Sequence, residues 1–108
     1  MVNFQYMGNS IEIKDNGEID IFYDDALSGH FLYKLSKNSF EVFGDVGLLD
    51  GVSGDFNKLY NSVKKAIDKI KSNNDVRRII VFFNRYHDKM LENDYTFIEK
   101  QIRRLYEK

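Results

Sequence analysis

Apolar and polar residues alternate over most of the first 43 positions, and a period of two is typical of β-strands with one buried face. Four segments carry the pattern: SIEIK, GEIDIFYD, GHFLYKL and SFEVFG. They are rich in β-branched and aromatic residues and are separated by turn-forming residues. Together with a short strand at residues 3–7, they predict a five-stranded antiparallel meander.

Two turns of this meander have specific sequence signals. Asn16 and Gly17 lie between two alternating segments, and Asn-Gly favours a type I′ hairpin turn because both central residues need positive φ. The segment MGNS at residues 7–10 predicts the turn between the first and second strands.

From Phe56 onwards the apolar residues change to helical spacing. The positions that define this amphipathic helix are Leu59, Tyr60, Val63, Ile67 and Ile70. Either Asp55 or Ser53 can cap the start of the helix, and SNND at residues 72–75 is expected to end it.

The segment VRRIIVFFN, residues 76–84, fits a buried strand better than a helix, because a helix would leave Val81 and Phe82 on the charged side. Residues from about 88 to 107 return to helical spacing. The predicted order is βββββαβα, an α+β fold with the helices on one face of the sheet. A single domain, residues 1–108, then consists of a meander at 1–43, a glycine-rich connection at 44–55 and an αβα segment at 56–108.

Composition excludes several classes of site. The chain of 108 residues has no cysteine, which rules out disulfides, thiolate nucleophiles and thiolate metal sites. No apolar segment approaches the roughly 18 residues that a membrane span needs, and the N-terminal sequence lacks the features of a signal peptide. We therefore expect a cytoplasmic protein with no membrane partner. The absence of proline and tryptophan, with many Lys, Asn and Ile residues, indicates AT-rich coding and a low-GC bacterium, or a phage or mobile element of one.

Charge divides the chain into two halves. Residues 1–56 contain three basic and ten acidic residues, a net charge of −7, whereas residues 57–108 contain thirteen basic and seven acidic residues, a net charge of +6. Such asymmetry is typical of an acidic protein-binding face or a basic nucleic-acid-binding face, although the two halves can also attract each other within one domain.

The segment FGDVGLLDGVSGDF, residues 43–56, contains four of the seven glycines but matches no ligand-binding motif. A Walker loop needs a lysine directly after its last glycine, and here the next lysine is Lys58. The dinucleotide motif is absent, and an EF-hand register provides only one of the first three ligands. We therefore predict no cofactor and no metal, and we interpret the segment as a mobile joint between sheet and helix.

The outward face of the predicted sheet includes large apolar residues among charges. Alternation points Phe22, Leu32 and Phe43 outwards, and an apolar cluster rimmed by acid indicates an interaction surface. The alternative is partial coverage by the glycine-rich segment or a terminus. The candidate protein-contact patch consists of Phe22, Leu32, Phe43, Asp20, Asp24 and Glu41.

These patterns lead to three functional interpretations. We expect first a small non-enzymatic binding protein that acts through protein–protein contacts, such as an inhibitor, adaptor or immunity-type factor, with an accessory protein of a phage or mobile element as one version. Its partner would be a protein, for example a host enzyme with a basic site, and a homodimer is an alternative. The second interpretation is nucleic-acid binding through the arginine-rich second half. The arginines concerned are Arg77, Arg78, Arg85, Arg103 and Arg104. The third is an enzyme with an unrecognised carboxylate or histidine site, since no catalytic motif occurs.

Overall fold

The computed structural model describes residues 2–25 and 29–91 of the chain. These ranges contain six strands and two helices: β1 (Val2–Tyr6), β2 (Asn9–Ile13), β3 (Ile19–Asp25), β4 (Gly29–Leu35), β5 (Ser39–Gly44), β6 (Gly47–Ser53), α1 (Asn57–Asp68) and α2 (Asn73–Leu91). The strands form one sheet in the order β1-β2-β3-β4-β5-β6, and each neighbouring pair is antiparallel. The predicted α+β class is confirmed.

The strand β6 corrects the prediction of a glycine-rich connection at residues 44–55. Gly44 pairs with Gly47, so that Asp45 and Val46 form a two-residue turn and the chain returns along β5. The ladder then steps from the pair Phe43 and Leu48 to the pair Val42 and Asp50, which leaves Leu49 as an extra residue. This β-bulge places two leucines in succession and breaks the period of two by which a strand is recognised.

Both predicted turns of the first three strands are present, but the turn at Asn16 and Gly17 does not have the predicted geometry. Gly17 has a φ of 90°, whereas Asn16 is not among the residues with positive φ in the described ranges. The Gly17 N–H donates to the Lys14 carbonyl at 2.9 Å. A three-residue loop that ends in a left-handed glycine replaces the predicted type I′ turn. Positive φ at two successive positions occurs instead at Met7 and Gly8, between β1 and β2.

The start of α1 agrees with the sequence prediction. The Asp55 Oδ1 accepts hydrogen bonds from the Asn57 backbone N–H at 3.0 Å and from the Asn57 side-chain amide at 2.8 Å. The backbone N–H and then the side-chain amide stabilise the ionised carboxylate and lower the pKa of Asp55 below its ordinary value of 3.8. Asp55 therefore caps the helix, as one of the two predicted candidates.

Helix α2 shows that the predicted strand at residues 76–84 is wrong. The segment SNND follows α1 and also caps the start of α2. The Ser72 carbonyl accepts a hydrogen bond from the Val76 N–H, and the Ser72 Oγ accepts one from the Asp75 N–H, both at 3.4 Å. The Asp75 Oδ2 in turn accepts from the Lys71 N–H at 2.9 Å. This reciprocal arrangement resembles a capping box and favours a helix over the apolar residues that follow.

The apolar side of α2 is broader than a narrow amphipathic stripe. Phe82, which the strand prediction assigned to the charged side of a helix, is buried and has its ring centroid 5.4 Å from that of Phe83 and 5.8 Å from that of Tyr86. A wide apolar side explains why the run of hydrophobic residues resembled a buried strand. The second predicted helix, at about 88–107, lies largely outside the described residues, and α2 includes only its first positions, 88–91.

The chain divides into two compact units, Met1–Tyr60 and Asn61–Lys108. The first contains the whole sheet, and one face of that sheet, here called the inner face, contains side chains that are at most 2% exposed: Ile11, Ile19, Ile21, Tyr33, Leu35, Phe40 and Val42. The second has its own buried apolar residues: Val63, Ala66, Ile67, Val76, Ile79, Ile80, Phe82, Phe83 and Tyr86.

Candidate protein-contact surface

Strand register brings the three apolar residues of the candidate patch into one line on the other face of the sheet, here called the outer face. Phe22 on β3 pairs with Leu32 on β4, and Leu32 pairs with Phe43 on β5. The line continues on β6, where Phe43 pairs with Leu48. Directly paired side chains lie about 4.5–5.5 Å apart at Cβ, so these four residues, the outer row, form one continuous apolar strip.

The outer row is more accessible than the inner face. Phe22, Leu32 and Phe43 are each half-buried, and Leu48 is 58% exposed. The sequence predicted the outward direction of the first three residues, but it contained no register, so it did not reveal that they are direct neighbours. Leu48 was missed because its strand was interpreted as a loop.

A charged row lies beside the outer row on the same face, two residues further along each strand. Its members face each other across four strands: Glu12 on β2, Asp20 on β3, Lys34 on β4 and Glu41 on β5. Two members of the candidate patch, Asp20 and Glu41, therefore lie on the same side of the apolar strip.

Asp20 is also part of a mixed cluster of charges at this side of the strip. Its Oδ2 lies 3.4 Å from the Lys14 Nζ and 3.5 Å from the Lys34 Nζ. The Glu18 Oε2 lies 3.4 Å from the Lys14 Nζ and 3.7 Å from the Lys34 Nζ. We call these four residues the lysine–carboxylate cluster. Two lysines therefore partly neutralise the predicted acidic rim at this side. The sequence did not reveal this because the lysines are distant from Asp20 along the chain.

Asp20 is unusual within this cluster because it is 9% exposed although it lies on the outer face. Burial, followed by the charge of Glu18, raises the pKa of Asp20 above its ordinary value of 3.8, and Lys34 and Lys14 oppose this effect. The pKa of Lys14 is raised above its ordinary value of 10.5, chiefly by the carboxylate of Asp20. Among the described residues the buried Oδ1 of Asp20 has no hydrogen-bond donor, which is a cost that a neighbouring donor would remove.

The opposite side of the outer row is acidic and contains a histidine. Asp24 pairs with His30 across β3 and β4, and the Asp24 Oδ1 lies 3.1 Å from the His30 Nδ1. The His30 ring stacks on Phe22 with 5.8 Å between the ring centroids. The His30 backbone N–H donates to the Asp45 Oδ1 at 3.3 Å. Carboxylates thus border the apolar strip on both sides, with Asp20 and Glu41 on one side and Asp24 and Asp45 on the other.

The β5–β6 hairpin carries further exposed apolar residues beyond the outer row. Val46 in the turn is 94% exposed, and Leu49 and Val52 on β6 are 51% and 39% exposed. The sequence analysis interpreted this segment as a joint between sheet and helix. The pair of glycines that flanks the turn, Gly44 and Gly47, was the signal that could have identified the hairpin.

The structure describes three of the five arginines of the alternative interpretation. Arg77, Arg78 and Arg85 lie on α2, where Arg77 and Arg85 are exposed and Arg78 is half-buried. Arg103 and Arg104 lie outside the described residues.

A shallow polar depression lies at the end of the sheet that carries the Asn16–Gly17 turn. It encloses about 480 Å³ and is lined by Asn16, Gly17, Glu18, Ser36, Lys37 and Tyr60. The Tyr60 hydroxyl donates to the Gly17 carbonyl, and the Lys37 Nζ lies 5.7 Å from the Tyr60 ring centroid. These contacts hold the turn against the start of α1. We therefore interpret the depression as a structural feature rather than a binding site.

No group of three or more His, Cys, Asp or Glu side chains within residues 2–25 and 29–91 is arranged to hold a metal ion. In the same ranges, no helix is long and apolar enough to cross a membrane.

No protein-family model, curated protein or solved structure matches this chain.

Proposed function

We propose that this protein is a small, non-enzymatic binding protein whose outer sheet face contacts another protein. The observation that carries the proposal is the outer row, in which Phe22, Leu32, Phe43 and Leu48 form one strip across four strands. Aromatic and aliphatic side chains in a continuous strip provide the apolar centre that protein interfaces need, and polar residues normally surround that centre.

The charges beside the strip support a partner with basic groups. Asp24, Asp45 and Glu41 are at least partly accessible, and the half of the chain that contains the sheet has a net charge of −7. Electrostatic complementarity of this kind increases the association rate and selects among partners.

The narrower version of the proposal is an inhibitor, adaptor or immunity-type factor of a phage or mobile element, acting in the cytoplasm on a host enzyme with a basic site. An acidic, apolar-centred face of a small domain suits occupation of such a site. The narrower version rests on the same surface and on the AT-rich composition.

Affinity capture with wild-type protein and the double variant Phe22→Ser/Phe43→Ser tests the proposal. We expect a protein captured by the wild type, identified by mass spectrometry, to be lost or reduced at least about tenfold with the variant, because two apolar contacts at the centre are removed. Met7→Ser is the matched control, since Met7 is 83% exposed and lies in the turn between β1 and β2 rather than in the outer row. Circular dichroism and thermal unfolding verify that each variant is folded. Equal capture by the double variant would show that the outer face is not the contact surface.

Nucleic-acid binding remains the second candidate, supported by the exposed side chains of Arg77 and Arg85 on α2. It predicts retention on DNA or RNA that weakens as salt rises and that is lost in Arg77→Glu/Arg85→Glu. Absence of binding at low salt would eliminate this candidate.

A further inference from the structure

The strand β6 lies at one edge of the described sheet. In the order β1-β2-β3-β4-β5-β6, β6 pairs only with β5 among the described strands. Alternate residues of an edge strand direct their N–H and C=O groups away from the sheet, where an extended chain can pair with them. The backbone of β6 therefore presents a row of groups that can form a further ladder.

This edge has few of the features that normally prevent strand addition. Residues 45–55 contain neither lysine, arginine nor proline, whereas Leu48, Leu49 and Val52 are exposed. The opposite edge strand, β1, presents the polar side chains of Asn3 and Gln5 to solvent. Edge strands of monomeric proteins are usually protected by charged residues, proline or bulges, and β6 has only Asp50 and the bulge at Leu49.

We propose that β6 binds an extended segment of a basic partner protein, which adds to the sheet as a seventh strand. The segment would alternate apolar residues with lysine or arginine. This inference rests on the proposed function, because it names the binding mode and the chemical class of the partner at the same surface.

The outer row supports this occupant. Leu48 ends the row at the open edge, so a residue of the added strand opposite Leu48 would extend the apolar strip by one position. Backbone pairing at β6 and side-chain contact along the outer row can thus belong to one continuous interface.

Charge favours a basic segment over a second copy of this chain. Two copies joined through β6 would bring together two sheets from halves that each carry a net charge of −7. A symmetric antiparallel pairing centred on β6 would also set Asp50 opposite its own copy, and like charges directly opposite each other destabilise strand pairs. Lysines or arginines in the added strand would instead meet Asp45 and Asp50.

Fluorescence anisotropy with the full chain and a labelled Lys-Val octapeptide tests the inference. We expect binding that weakens when NaCl is raised from about 50 to about 500 mM, because salt screens exposed charges. A Glu-Val octapeptide should not bind. A Lys-Val peptide with N-methyl groups on alternate amides should lose binding, because it cannot complete the ladder. Hydrogen exchange of the β6 amides should slow in the presence of the Lys-Val peptide, while that of β1 should not change.

Variants of the protein test the same contact from the other side. Leu48→Lys should weaken binding of the Lys-Val peptide at least about tenfold, through loss of an apolar contact and repulsion of the peptide charges. Met7→Lys is the matched control, because it adds the same charge at an exposed apolar residue near β1. Equal binding of the N-methylated peptide or of the Glu-Val peptide would overturn the inference, as would absence of binding by the Lys-Val peptide. A wild-type dimer that Leu48→Lys dissociates in sedimentation experiments would also overturn it, in favour of a second copy as the occupant.

The two proposals fail in different ways. If a captured partner is lost with Phe22→Ser/Phe43→Ser but bound normally by Leu48→Lys, the outer face is the contact surface and strand addition is wrong. If the partner is lost with Leu48→Lys and unaffected by the double variant, β6 binds it and the proposed role of the sheet face is wrong.

Discussion

The two faces of the sheet are built from the same strands but differ in composition and accessibility. On the inner face, Ile21 and its cross-strand partner Tyr33 belong to a set of side chains that are at most 2% exposed. One residue further along the same strands, Phe22 and its partner Leu32 lie on the outer face and remain half-buried. Burial of the inner face contributes to stability, whereas the apolar strip of the outer face remains partly accessible to solvent.

The charges sharpen this contrast. The seven buried side chains of the inner face are apolar apart from the Tyr33 hydroxyl, whereas the apolar strip of the outer face is bordered by carboxylates and by the lysine–carboxylate cluster. The comparison therefore predicts that substitutions on the inner face reduce stability, and that substitutions in the outer row mainly reduce binding.

The largest expected effect on stability is that of Ile21→Ala on the inner face. Ile21 is fully buried, so the substitution removes apolar contacts and leaves a cavity. The free energy of unfolding should fall by about 2–5 kcal/mol. Urea denaturation measured by circular dichroism gives this value directly.

Leu32→Ala on the outer face provides the matched comparison, because it removes a similar volume from a half-buried site on the neighbouring strand. Its free energy of unfolding should fall by about 1 kcal/mol. A loss as large as that of Ile21→Ala would show that the outer row belongs to a second core rather than to a contact surface.

An effect of about 1 kcal/mol is expected for Tyr60→Phe, because it removes the hydrogen bond from the Tyr60 hydroxyl to the Gly17 carbonyl. This bond holds the turn that carries Glu18 beside the outer face. Urea denaturation measures the change, and Tyr23→Phe is the control, since its hydroxyl has no hydrogen bond within the described part of the chain. Equal stability of Tyr60→Phe and the wild type would mean that the turn does not depend on this bond.

The smallest expected effect concerns pH and Asp20→Asn. The raised pKa of Asp20 means that its ionised form opposes folding once the pH exceeds 3.8, the ordinary value that we assign to the unfolded chain. Ionisation of Asp20 therefore makes the wild type less stable as the pH rises through the raised pKa of the folded state. The asparagine side chain of the variant does not ionise, so the variant lacks this pH dependence. Urea denaturation between about pH 3 and 7 should therefore show the variant gaining stability relative to the wild type as the pH rises. A constant difference, or a relative loss, would contradict the assignment.

The sequence predicted the meander and the orientation of the outer row because alternation depends only on the period of the strand. It therefore separated Phe22 from Ile21 without any structural information. It did not predict that Phe22, Leu32 and Phe43 are direct neighbours, because register depends on turn lengths and pairing across strands. The proximity of Lys14 and Lys34 to Asp20 was missed for the same reason.

Two elements, α2 and β6, were predicted wrongly because local sequence signals were misinterpreted. Ser72 and Asp75 were interpreted as the end of one helix, although the same residues cap the start of the next. The bulge at Leu49 interrupted the alternation of β6, and the surrounding glycines then favoured a loop interpretation. Phe82 is buried on a wide helical face, which a count of apolar residues does not distinguish from a buried strand.

The central claim is that the outer face binds a protein partner, and a chemical-shift map of the isotopically labelled chain tests it most directly. On addition of the captured partner, we predict the largest changes at Phe22, Leu32, Phe43 and the residues of β6, with little change at Arg77 and Arg85 on α2. The largest changes at these two arginines, with the outer row unaffected, would contradict the account.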